Sequence, residues 1–113
     1  MDIKYNYFSD EAEVMSEIEA AGYFLLTQDF PAESIGDHWH DFDFVGYITE
    51  GEMTIFDTET GESCVCSKGT KVVAPRGVLH REQTSGYKAL IGVSIDPAEL
   101  TQPINKPPPV ALS

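Results

Sequence analysis

Positive charge is the first thing this chain lacks: its 113 residues carry seven Lys and Arg against 19 Asp and Glu, a formal net charge of −12. Such a surface repels a duplex or an anionic bilayer, so nucleic acid and membranes are excluded as partners. Long apolar runs are missing too, and none approaches the roughly 18 residues of a membrane span. The start, Met1-Asp2-Ile3-Lys4-Tyr5, has no basic segment followed by an apolar one, so no secretory signal is expected and the cytoplasm is the default location. Cysteine is confined to Cys64 and Cys66, in Ser63-Cys64-Val65-Cys66-Ser67. On a strand, positions i and i+2 share a face about 6–7 Å apart, where a disulfide would be badly strained. With no second Cys pair and no His nearby in sequence, the two read as small buried side chains more than as a redox or soft-metal pair. The chain also has no G-x-S-x-G elbow for a nucleophilic serine and no glycine-rich phosphate loop ahead of a helix.

What is present describes one globular domain. The length suits a single core without staples, and 42% hydrophobic with 11% aromatic residues argues against disorder. Residues 1–62 carry a net charge of −15 and residues 63–113 a net charge of +3. The spacing predicts one helix. Asp10 caps it, Glu13 follows at the capping-box position, Val14, Ile18 and Ala21 form the apolar stripe, and Gly22 stops it. From Tyr23 onward the period becomes strand-like. Short β-branched or aromatic segments at 23–28, 44–50, 52–57, 62–67, 71–74, 80–83 and 87–95 alternate with turn signals at Gly51, Gly61, Gly69, Pro75-Arg76-Gly77 and Gly86. Strands with turns every 8–12 residues or so argue for an all-β sandwich or barrel. The Pro-rich end, Pro103 to Pro109, cannot pair as a central strand and is expected to run extended along the surface or be partly disordered.

Chemistry concentrates in three histidines, His38, His40 and His80. His38-Trp39-His40 alternates, so both imidazoles share one face of an extended segment, and His80 follows the loop Pro75-Arg76-Gly77-Val78-Leu79. Three neutral imidazoles converging from two strands suit one borderline divalent ion: Fe, Zn, Ni, Mn or Cu.

The region around these histidines resembles the two signature motifs of the cupin superfamily, in particular its small single-domain members. His38, His40 and Gly51 match G-x5-H-x-H-x3-4-E-x6-G, and Gly69, Pro75, Gly77 and His80 match G-x5-P-x-G-x2-H-x3-N. The resemblance implies a jelly-roll β-barrel of two antiparallel sheets. It divides the chain into an N-terminal segment with a short helix (1–22), the barrel (23–96) and a Pro-rich tail (97–113). Gly51 is read as opening a hairpin turn, and Pro75 and Gly77 as shaping the loop that turns His80 inward. Three positions depart from the motifs: Ala32, Thr84 and, most consequentially, Phe44, which stands where the family has its glutamate ligand. That leaves a three-His site with an apolar wall, as in cupin-like thiol and diketone dioxygenases.

Two carboxylates are candidates to stand in as ligand or as acceptor beside the ligands. Glu82 shares the face of His80, whereas Asp43 reaches the site only through a bulge. Asp37, Asp41 and Asp43 flank the first motif and either favour a nearby cation, raising the pKa of metal-free His38 and His40, or form only a solvated acidic rim. Phe44 and Arg76 are assigned to a substrate pocket, Arg76 as a clamp for a carboxylate or phosphate unless it is merely solvated. The resemblance implies a metal-dependent enzyme on a small organic substrate, an oxygenase-like reaction leading and a lyase or isomerase also open. The alternative is a non-catalytic small-molecule binding or sensing module. A homodimer is implied in either case.

Overall fold

The computed structural model describes residues 1–109. Seven strands and one α-helix follow in the order β1 (Asp2–Lys4), α1 (Glu11–Ala20), β2 (Phe24–Phe30), β3 (Glu33–His38), β4 (Phe44–Asp57), β5 (Ser63–Ser67), β6 (Lys71–Ala74) and β7 (His80–Val93). Every pairing is antiparallel. β4 and β7, 14 residues each, form one long ribbon shared by two sheets. Residues 44–48 and 87–93 of the ribbon lie in the order β1-β6-β4-β7-β2, and its other half lies between β3 and β5. The result is a jelly-roll barrel.

This ribbon corrects the expected hairpin. Gly51 opens no turn; it sits inside β4, as Gly86 sits inside β7, where the register slips between Ile48 and Glu50 and again between Glu52 and Met53. Gly51 has φ +80°, and a Cβ there would lie 2.4 Å from the Gly86 carbonyl oxygen and 2.8 Å from Tyr87 Cα. Glycine is required because the two backbones cross in contact where the ribbon bends.

Two strands have no counterpart in the sequence-based expectation. β1 is only three residues long. β3 is an edge strand whose Glu33, Ser34, Gly36 and Asp37 are exposed, so its composition carries no alternation. β2 runs on to Phe30, past the expected stop, because Phe30 stacks on Tyr87 with ring centroids 4.5 Å apart.

The Asp10 carboxylate caps α1, accepting from the backbone N–H of Ala12 at 2.7 Å and of Glu13 at 3.2 Å. Val14 and Ile18 are buried against Val45, Tyr47 and Leu90 on the outside of one sheet, whereas Ala21, expected on the same stripe, is exposed. The acids of α1 are solvated except Glu17, which accepts from the Tyr7 and Tyr47 hydroxyls and pairs with Lys71 Nζ at 2.9 Å. Between the sheets lie Ile48, Met53, Ile55, Cys66, Val72, Tyr87 and Ala89. Cys66 is fully buried and Cys64 half-buried, both as free thiols, and burial pushes the Cys66 thiol up to about 12.

After a single 3-10 turn at Pro97–Glu99, the chain crosses the barrel mouth. Its backbone pairs with Trp39: Trp39 N donates to the Lys106 carbonyl at 3.2 Å, and Lys106 N to the Trp39 carbonyl at 2.8 Å. The expectation for the last four residues lies outside the described residues. No described helix is long and apolar enough to cross a membrane.

Candidate metal centre

His38 and His80 are cross-strand partners on β3 and β7, and His40 follows on the segment leading into β4. A bulge in β3 between Ile35 and His38 turns His38 inward. His80 is delivered by the preceding loop, which is tied down twice: Gly77 N donates to the His40 carbonyl at 3.0 Å, and Arg76 N to the Asp43 carboxylate at 2.7 Å. The ring centroids lie 4.2 Å (His38–His80), 5.1 Å (His38–His40) and 5.2 Å (His40–His80) apart.

Each ring is oriented through Nδ1. His38 Nδ1 lies 2.8 Å from the Gly36 carbonyl, His80 Nδ1 2.9 Å from the Val78 carbonyl, and His40 Nδ1 3.1 Å from the Ile104 carbonyl. A carbonyl oxygen can only accept, so each Nδ1 carries the hydrogen and each Nε2 keeps its lone pair free. One ligand atom from each ring comes within 4.8 Å of the other two. His80 Nε2 is fully buried with no hydrogen-bond partner among the described residues. An orphaned lone pair on a buried nitrogen is costly unless something binds it. The donor set therefore fits a borderline divalent metal ion.

Burial dominates the electrostatics. It pushes the His80 imidazole down to about 4, assisted by the neighbouring His38 and His40, and it also lowers His40. Asp41 pushes His40 upward as expected, but desolvation outweighs it, so the net shift is downward. Asp37 instead accepts from the Thr58 hydroxyl, and Asp41 from the Thr101 hydroxyl at 2.7 Å. Glu82 Oε1 stands 3.8 Å from His80 Nε2, beyond hydrogen-bond length. Burial pushes Glu82 up to about 7, with the Glu33 charge adding to it, so neither partner favours its charged form and the two are not an ion pair.

His38 and His40 line a cavity of about 220 Å³ inside the barrel, and His80 packs behind them against His38. Leu26, Ile91, Val93 and Phe44 make its wall apolar, and Gln28 and Glu82 supply polar groups. The Phe44 ring packs 5.7 Å from His40 and 6.5 Å from His80, centroid to centroid. Asp43 points its carboxylate at the Arg76 backbone, and Arg76 is exposed and does not line the cavity. Leu100, Ile104 and Asn105 also line the cavity, and reasoning from sequence missed them. Nothing in a Pro-rich segment signals that it will lie over a site.

No family model and no curated protein matches this sequence. Solved structures do. A DUF861 family protein from Thermotoga maritima is 21% identical, with 80% of this chain and 94% of that chain covered at a TM-score of 0.57. A cupin-2 domain containing protein from Shewanella frigidimarina is 22% identical, with 66% and 71% covered at a TM-score of 0.55. The fold is that of a cupin. Among other cupin-fold matches is DMSP lyase DddQ from Ruegeria pomeroyi, 23% identical, with 64% of this chain but only 38% of that chain covered at a TM-score of 0.55. At these identities the cupin likeness establishes the barrel alone, and the chemistry has to be argued from the residues inside it.

Proposed function

We propose that this cupin binds one divalent metal ion through Nε2 of His38, His40 and His80 and uses it in a reaction on a small organic substrate. The observation that carries the reading is the set of three Nδ1-anchored imidazoles with a buried His80 Nε2 that has no hydrogen-bond partner among the described residues, beside an apolar cavity lined by His38 and His40. A bound divalent ion would supply Lewis-acid or redox chemistry at coordination positions that three protein ligands leave open. An oxygenase-like reaction is the leading assignment.

The chain's own residues divide the remaining work. Phe44, Leu26, Ile91 and Val93 exclude water, and Gln28 and Asn105 are placed to orient a polar group of the substrate. Glu82 is the carboxyl beside the ligand nitrogens, and we assign it, ahead of Asp43, as the additional ligand or the acceptor next to them. A cavity of about 220 Å³ is below the roughly 300–1,000 Å³ of pockets for drug-sized ligands, so the substrate is a small molecule.

A second reading, a non-catalytic small-molecule binder, draws on the roof that the C-terminal segment places over the cavity. We also propose a cytoplasmic homodimer, supported by the free edge of β2, where Phe24 and Leu25 stay exposed.

The test is elemental analysis of protein purified without added metal, run beside His80→Ala. The native chain should carry about one equivalent of metal, and the variant should lose it. Full metal in His80→Ala would refute the three-His site. A metal-free native protein that still takes up a small molecule would support the second reading.

A further inference from the structure

The three histidines are not held in the same way. His38 and His80 are anchored by carbonyls two residues upstream on their own segments, so local chain geometry sets their orientation. His40 is anchored by the carbonyl of Ile104, 64 residues further along the chain. The segment carrying that carbonyl is strapped to the barrel on both sides of Ile104. Before it, the Thr101 hydroxyl donates to Asp41 at 2.7 Å, and Lys106 Nζ reaches back to the Thr101 hydroxyl at 2.8 Å and its carbonyl at 3.1 Å. After it come the paired backbones of Trp39 and Lys106 and the Trp39 indole N–H, which donates to the Pro107 carbonyl at 2.7 Å. The same strap presents Leu100, Ile104 and Asn105 to the cavity.

We propose that residues 100–107 form a positioning strap that sets the tautomer of His40 through the Ile104 carbonyl, so that the roof of the cavity and the competence of the third ligand depend on one segment. The inference rests on the three-His reading for its consequence in metal binding, but not for its geometry. With the strap in place, the hydrogen is held on Nδ1 and the lone pair is free on Nε2. With it displaced, the neutral imidazole loses the acceptor that selects this tautomer, and the ring is free to turn. Partners that orient a ligand histidine in this way typically govern about 10–100-fold in metal affinity. A molecule that enters by lifting the strap would loosen His40, whereas one that packs beneath Leu100 and Ile104 would hold it in place.

The test compares the native chain with two full-length variants. Thr101→Val/Lys106→Pro removes the tie to Asp41 and the Lys106 N–H. Trp39→Phe removes the bond to Pro107. Nitrogen NMR of the metal-free proteins reads the tautomer of each imidazole, and competition with a chromophoric chelator reads zinc affinity. In the native chain all three rings should be protonated on Nδ1. In the variants His40 alone should show mixed tautomers, His38 and His80 should keep theirs, and zinc should bind about tenfold or more weakly. Native His40 signals in both variants would overturn the proposal. So would a change shared equally by all three histidines, which would report general loosening of the barrel. Failure of the native chain to bind zinc would refute the three-His reading instead, and the tautomer of His40 would still decide for or against the strap.

Discussion

Phe44 determines the chemical character of the pocket more than any other single side chain. It puts an aromatic ring against His40 and His80 at the position where the cupin motif carries a carboxylate. The three histidines therefore offer neutral donors beside an apolar ring. Phe44→Glu should add an anionic donor next to the histidines and raise zinc affinity at least about tenfold, since even groups that only orient the ligands typically govern about 10–100-fold. Unchanged affinity in a chelator competition would mean that position 44 lies outside the coordination sphere. Cys66 illustrates the opposite case, a chemically capable residue silenced by its surroundings. It is fully buried, and burial pushes its thiol up to about 12. Only the thiolate attacks, so at pH 8 Cys66 should resist a thiol reagent until the protein unfolds, whereas half-buried Cys64 should react faster. Mass spectrometry after timed labelling separates the two.

The β4–β7 ribbon is the element on which the site depends, since β7 begins with His80 and β4 begins with Phe44. Its bend at Gly51 has no room for a side chain. Gly51→Ala should cost roughly 2–4 kcal/mol, combining positive-φ strain with overpacking against the Gly86 and Tyr87 backbone. Gly61→Ala is the control: it shares a positive φ of 76°, but a Cβ there meets nothing within 4 Å, so only the conformational cost of about 1–2 kcal/mol applies. Urea denaturation of the pair distinguishes crowding from strain. The docking of α1 has its own pH signature. Burial works against charge on Glu17, but the hydroxyls of Tyr47 and Tyr7 and the Lys71 ammonium more than offset it, so the carboxyl lies below its ordinary value of 4.5. A depressed carboxyl contributes stability that is fully present above the unfolded-state value and is lost as pH falls through the folded one. Glu17→Gln should therefore destabilise the protein at pH 7, and its deficit against the native chain should shrink on acidification below about 4.5. A deficit independent of pH would show that Glu17 acts through packing alone.

At the scale of the whole molecule, the proposed site would link metal binding to folding, because only the folded barrel brings His80 up to the His38–His40 pair. Saturating zinc at a hundredfold excess over its Kd should add about 2.7 kcal/mol of stability, read as a rise in Tm that His80→Ala abolishes. Several features of this molecule were legible in the sequence because they arise within a few residues. The i, i+2 spacing of His38 and His40, the Pro75-Arg76-Gly77 loop before His80, the Asp10 cap and the alternation of β6 are short-range patterns, and each produces its local structure. Strand β3 was illegible because an edge strand exposed at nearly every position keeps no alternation to read. Gly51 was misread as a turn because glycine marks positive φ in a hairpin and in a bent strand alike. The sequence alone thus determined an acidic all-β chain with His38 and His40 on one face, since residue type and spacing suffice for those, while the resemblance to the cupin motifs implied the barrel and the inward His80. Only the tertiary structure decided that the Pro-rich end lies over the cavity and that the Ile104 carbonyl, not a neighbour in sequence, orients His40. That contact depends on the path of the chain in space, and no local periodicity encodes a path.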